Sequence, residues 1–171
     1  MGKITFILGG VRSGKSRYGV TLAKAYKRVA FLATCEALDS EMEKRIARHK
    51  NERPKHWVTL EEPCDIALVA KQVVNKCDLV LVDCLTLWVS NCLLKKFSDK
   101  KMVKMLENLL KTVKKSHCDV VFVSNEVGLG IVPDNKLARK FRDLAGQINQ
   151  LVAKASDTVF FMTAGIPVKI K

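Results

Sequence analysis

Short apolar runs alternate with longer amphipathic stretches along the chain, beginning with Ile4-Thr5-Phe6-Ile7-Leu8 and returning in Val29-Ala30-Phe31-Leu32-Ala33, Leu79-Val80-Leu81-Val82 and Val120-Val121-Phe122-Val123. Their length and β-branched content predict strands over residues 3–8, 29–33, 79–83, 119–124 and 158–163, with shorter ones near 56–59 and at the C-terminus. Strands that alternate with helices in this way predict an α/β fold, a mostly parallel central sheet flanked by helices. Helical periodicity is clearest between Asn135 and Ala155, where Leu137, Phe141, Leu144, Ile148, Leu151 and Ala155 recur every three or four residues as a buried stripe. Pro133-Asp134-Asn135 supplies the helix start just before it.

The 171 residues suit one compact domain, and no repeat, linker or low-complexity stretch divides them. The longest break in the strand and helix alternation, residues 34–63, is read as an elaboration that carries function. With 48% hydrophobic and 27% charged residues, the composition is that of a folded globular protein. No apolar run approaches the roughly 20 residues of a membrane span, and the N-terminal run lacks the features of a signal peptide, so a cytoplasmic location is expected. The cysteines Cys35, Cys64, Cys77, Cys84, Cys92 and Cys118 form no C-x-x-C pair and stand at no zinc spacing, so neither a disulfide framework nor a structural metal is expected. A formal charge of +13 attracts phosphate-rich ligands. The lysines are spread over many elements without interleaved aromatics, which favours a solvated surface over a nucleic-acid site.

The chemistry begins at Gly9-Gly10-Val11-Arg12-Ser13-Gly14-Lys15-Ser16, a G-x-x-x-x-G-K-[ST] loop between a predicted strand and a predicted helix. Glycines let the backbone N–H groups turn toward phosphate oxygens, and the helix N-terminus adds partial positive charge. Lys15 is placed to reach the β- and γ-phosphates, and the Ser16 hydroxyl to ligate magnesium. The sheet and loop together predict a P-loop NTPase-like, RecA-like fold. Such sites hold hydrated magnesium with a second carboxylate at a strand end, and Asp83 stands there. Capping the next helix is the other role open to it. Asn125-Glu126-Val127-Gly128 follows a third strand at the edge where ligands bind in such folds. For Glu126 two roles stay open, positioning an acceptor or a metal-bound water, and fixing the loop through backbone N–H groups.

Within the elaboration, Ser40-Glu41-Met42-Glu43 reads as a capping box that starts a helix running to about Lys50. Met42, Ile46 and His49 then share its apolar face. His49 is either a structural group or a functional one, and Arg45, Lys50 and Arg53 around it offer charge compensation to a phosphate. His56 and His117 lack such a setting.

These residues resemble the bifunctional adenosylcobinamide kinase / adenosylcobinamide-phosphate guanylyltransferases. The likeness runs through the phosphate loop to Arg17, Ala33-Thr34, Asp39, Glu41-Met42, Arg45-Ile46, His49-Lys50, Arg53-Pro54 and Trp57. It continues in Asn125 to Pro133, in Leu137-Ala138-Arg139 with Phe141-Arg142-Asp143, and in Gly165 to Lys171. The resemblance implies that His49 attacks the α-phosphate of GTP, releasing pyrophosphate, and that GMP then passes to cobinamide phosphate. Imidazole suits this role, since its ordinary pKa of about 6.5 leaves it largely neutral and nucleophilic near neutrality. It implies further that Ala33, Thr34, Cys35, Lys50, Asn51, Glu52, Arg53, Glu61 and Asp83 complete the GTP site begun by Gly9 to Ser16, with Glu62 beside Glu61 as an equivalent carboxylate. Magnesium bound with GTP, ATP or GTP as the donor of a kinase step on a corrinoid, and a homotrimer are implied with them. Two rival readings stand beside this one: a P-loop kinase or NTPase that uses phosphoryl transfer alone, and a nucleotide-gated RNA-binding module that exploits the charge.

Overall fold

The structure, a computed structural model, describes residues 1–36, 43, 46, 47, 50 and 53–171. In chain order its elements are β1 (Ile4–Gly9), α1 (Lys15–Ala23), β2 (Val29–Ala33), β3 (Val58–Glu61), α2 (Ile66–Val73), β4 (Leu79–Asp83), α3 (Leu85–Leu94), α4 (Asp99–Lys115), β5 (Asp119–Asn125), α5 (Lys136–Ala155), β6 (Thr158–Thr163) and β7 (Ile166–Lys169). The strands join in one sheet in the order β3-β2-β4-β5-β1-β6-β7. Every pairing is parallel except β6 with β7.

The period of two along each strand divides the core into two layers. Ile4, Phe6, Ala30, Leu32, Val80, Val82, Val120 and Phe122 face one side, where they meet buried residues of α2, α3, α4 and α5. Ile7, Val29, Phe31, Leu79, Leu81, Val121 and Val123 face the other, with Ala23 of α1. Burial on both faces is why these strands read as unbroken apolar runs. Helix α1 packs closely through Gly19, where an added Cβ would stand 3.1 Å from Leu81 Cδ1 and 3.4 Å from Val123 Cγ2. Gly19→Val is therefore expected to destabilise the fold by about 1–3 kcal/mol through overpacking, read as a lower urea midpoint.

Two predicted elements shift. The short strand expected near 56–59 runs instead over Val58–Glu61, pairing with Ala30 to Ala33, while Trp57 before it is buried in the core. An edge strand with exposed side chains carries little alternation to locate it. In α5 the expected stripe holds only in part: Leu144, Ala145, Ile148, Asn149 and Val152 are buried, but Leu137 is 53% exposed. The first turns of α5 are tied to the preceding loop through Arg139 and Arg142, so the apolar period there does not mark the core. Asn135 caps α5, accepting from the Leu137 and Ala138 N–H groups. Among the described residues no helix is long and apolar enough to cross a membrane.

Candidate nucleotide site

The loop between β1 and α1 is shaped by its glycines and braced from two sides. Gly14, at the N-terminus of α1, has φ of 93°, a conformation that disfavours any side chain. At Gly9 the constraint is space, since a Cβ would lie 2.5 Å from the Met162 carbonyl oxygen of β6. The Gly9 carbonyl accepts the Glu126 N–H at 3.0 Å, which fastens the loop to the end of β5. The Gly165 N–H donates to the Ser13 carbonyl at 3.1 Å, which fastens it to the turn between β6 and β7. Lys15 is buried, and its ammonium donates to the Gly10 carbonyl at 2.5 Å and lies 3.4 Å from Ser13 Oγ. The cation is thereby held over the loop, where a phosphate would meet it. Ser16 follows it in the first turn of α1, half-buried, while Val11 and Arg12 are exposed.

Asp83 ends β4, opposite Ala33 of β2 and Val123 of β5. Of its two open roles, capping does not fall to it: Cys84 holds the N-terminal cap position of α3. The Asp83–Cys84 peptide is cis. It is held by Thr34, whose hydroxyl donates to the Cys84 carbonyl at 2.7 Å and accepts the Cys84 N–H at 2.8 Å, while the Thr34 N–H donates to the Asp83 carbonyl at 3.1 Å. Thr34 is fully buried, and its side chain serves as a bracket for the Asp83–Cys84 junction. Thr34→Val strands a buried donor and acceptor and is expected to cost about 1–3 kcal/mol of stability. Thr34→Ser should recover most of that loss in the same unfolding experiment.

Asn91 Nδ2 donates to the Thr34 and Pro63 carbonyls, and Trp88 Nε1 to the Cys64 carbonyl, so α3 ties the segments after β2 and β3 to the same edge. The Cys84 thiol is pushed up to about 12, first by burial and then by the Asp83 charge, and so stays protonated beside the site.

The carboxylates at the end of β3, Glu61 and Glu62, separate cleanly. Glu62 Oε1 accepts the Cys64 and Asp65 N–H groups at 2.8 and 2.7 Å, fixing the turn into α2. Glu61 is exposed and pairs with Lys50 at 2.5 Å. Exposed pairs of this kind contribute little stability. Arg53 lays its guanidinium over the Phe31 ring, 3.3 Å from the centroid, against β2. Cys35, just past β2, is half-buried with its thiol 3.8 Å from the Glu36 carbonyl. Glu43, Ile46, Ala47 and Lys50 are helical, with Ile46 half-buried and the other three exposed. His49, Asn51 and Glu52 lie outside the described residues, as do Ser40, Met42 and Arg45 of the expected helix.

Thus the loop, Asp83, Ala33 to Cys35, Glu61 and Lys50 lie along one carboxyl edge, but they are spread along it. Four strand spacings separate β1 from β3 in the sheet order, roughly 19 Å at about 4.8 Å each.

Glu126 takes the loop-fixing role, its Oε1 accepting the Gly128 N–H at 2.7 Å. Several supports were not foreseen from sequence. Thr86 Oγ1 lies 3.0 Å from Ser124 Oγ and accepts the Asn125 N–H at 2.6 Å, and Asn149 Nδ2 donates to the Asn125 carbonyl at 3.2 Å. This buried polar group holds the end of β5 beside Gly9. Ser124 and Asn149, polar at positions surrounded by core, were its signal. The turn at Ala164-Gly165 carried none beyond its glycine.

Among the described residues no three or more His, Cys, Asp or Glu side chains gather to hold a metal. The oxygen donors Ser16 and Asp83 fit a hard cation such as magnesium, which would take its remaining ligands from phosphate and water.

A phosphate loop braced at the carboxyl edge of a parallel sheet defines a P-loop nucleotide-binding protein. In keeping with this, an ATPase from the type III secretion system of pathogenic bacteria superposes with a TM-score of 0.65 at 13% identity, covering 95% of this chain and 52% of that one. The present chain spans about half the length of that ATPase, and the likeness speaks for the fold alone. The chain belongs to the family described as cobinamide kinase / cobinamide phosphate guanyltransferase, whose sequence pattern matches residues 5–170. It is 42% identical over 166 residues to the bifunctional adenosylcobalamin biosynthesis protein CobP of Pseudomonas aeruginosa, covering 96% of this chain and 95% of that protein. It is 37% identical over 177 residues to CobU of Escherichia coli and 38% identical over 179 residues to CobU of Salmonella typhimurium, both bifunctional adenosylcobalamin biosynthesis proteins, covering 96% of this chain and 98% of each. It is accordingly a transferase.

Proposed function

We propose that this enzyme phosphorylates adenosylcobinamide with a nucleoside triphosphate and then transfers GMP from GTP to adenosylcobinamide phosphate through a guanylylated His49. The observation that carries the nucleotide half is the braced loop with Lys15 held over it. In the kinase step the Gly9 to Ser16 amides and Lys15 bind and orient the triphosphate, and their charge is best matched to the spread charge of the transition state. Ser16 and Asp83 would hold magnesium together with the nucleotide, and the ion would supply further charge neutralisation.

In the guanylyl step the His49 imidazole displaces pyrophosphate from the α-phosphate, forming a phosphorus–nitrogen bond. The corrinoid phosphate then breaks that bond and restores the imidazole. Ala33, Cys35, Lys50 to Arg53 and Glu61 receive the remainder of the nucleotide, and Thr34 acts by positioning Asp83. The exposure of Glu61 beside Lys50, with Glu62 committed to the turn before α2, supports this choice of carboxylate.

We assign the chain to a homotrimer in the cytoplasm, where nucleotides are supplied. The family resemblance supports the trimer, and the exposed apolar residues of β7, Ile166 and Val168, offer surface for subunit contact. Light scattering on the purified chain measures the subunit count. The direct test of activity is mass spectrometry of the corrinoid after incubation with magnesium, ATP and GTP. Adenosylcobinamide-GDP is the expected product, and recovery of phosphate ester alone would leave only the kinase.

A further inference from the structure

Beside the phosphate loop the chain exposes large apolar side chains that its own core does not use. Leu129 is 82%, Ile131 96% and Val132 63% exposed, within four consecutive residues after β5. This segment is a built surface. Glu126 begins it with its N–H on Gly9 and its carboxylate on Gly128. Arg142 donates to the Ile131 carbonyl at 2.9 Å and the Gly128 carbonyl at 3.0 Å, and Arg139 to the Pro133 and Asp134 carbonyls at 2.9 and 2.6 Å. The backbone is thus secured to α5 by two guanidinium groups, while the apolar side chains are left to solvent. A cluster of this kind on a folded protein marks a binding surface.

Its place in the fold narrows the occupant. Asn125 pairs with Gly9 in the sheet register, so the segment leaves the carboxyl edge one strand from the loop that holds the phosphates. A phosphoryl acceptor has to lie against that loop, with its hydroxyl in line with the γ-phosphate. A corrinoid acceptor is a broad macrocycle with apolar faces, which matches exposed Leu, Ile and Val side chains presented on a braced backbone. We propose that Leu129, Ile131 and Val132 form the platform on which the corrinoid macrocycle rests, so that affinity for the acceptor is set here and affinity for the nucleotide elsewhere. The proposal rests on the reading of the acceptor as a corrinoid.

The test is equilibrium binding of adenosylcobinamide and, separately, of GTP to the full chain and to Leu129→Ser/Ile131→Ser, with the subunit count measured for both. Because these side chains touch little of the fold, the variant should remain as stable as the parent. Removal of two apolar contacts is expected to raise the corrinoid Kd by about tenfold or more, with GTP affinity and subunit count unchanged. A corrinoid Kd within about twofold of the parent would overturn the platform. So would a fall in subunit count, which would make the segment a contact between copies. If the parent itself binds no adenosylcobinamide, with or without nucleotide, the corrinoid reading fails first and takes the platform with it.

Discussion

Replacing Lys15 by alanine is expected to lower the rate of both transfers by about 10²–10³-fold, the scale of removing one preorganised charge from a phosphoryl or acyl transition state. The ammonium is buried over Gly10 and Ser13, within a loop fastened on both sides to β5 and to the β6–β7 turn. It is held by atoms of the loop itself, at the place where the phosphates would bind. The loss should fall on kcat more than on KM, because Lys15 would match charge that develops on the β- and γ-phosphates, both when the γ-phosphoryl group is transferred and when pyrophosphate leaves. Steady-state kinetics with varied ATP and fixed corrinoid would show this. A Lys15→Ala enzyme within about threefold of the parent would contradict the role.

His49→Ala should act differently. Without the nucleophile the guanylyl transfer is expected to fall by at least about 10³-fold, while phosphorylation of the corrinoid continues near its usual rate, so that adenosylcobinamide phosphate accumulates. Separation of the two activities by one side chain is the outcome that distinguishes covalent guanylyl transfer from a kinase that uses only the loop. Parallel loss of both would point to a structural role for His49 instead.

The parts of this fold that were legible in the sequence were those whose chemistry is local or whose burial is complete. Strands β1, β2, β4, β5 and β6 were visible because each is a short, largely apolar run, and the phosphate loop because its glycines and Lys15 are contiguous. The edge strand β3 was blurred by two residues, since exposed Val58 and Thr59 alternate with nothing. Leu137 was misread as core because helical period alone does not say where a helix passes beyond the sheet. Thr34 shows a further limit: its place among candidate ligand contacts came from resemblance, but only the three-dimensional pairing of β2 with β4 reveals that its hydroxyl is used by Cys84. The same holds for Glu61 and Glu62, adjacent and identical in chemistry, which only the hydrogen bonds to Cys64 and Asp65 tell apart. Long-range braces such as Gly165 on Ser13 leave no signature in sequence, since the partners are far apart along the chain and interact through backbone.

The central claim is that GTP leaves its GMP on the enzyme at His49, and one labelling experiment meets it directly. The protein is incubated with magnesium and GTP labelled at the α- or the γ-phosphate, then denatured and freed of nucleotide. Retained α label that is acid-labile, with no γ label, and its disappearance in His49→Ala is the predicted result. Well-folded protein that keeps no α label at saturating GTP, or that keeps it equally in His49→Ala, would contradict the mechanism.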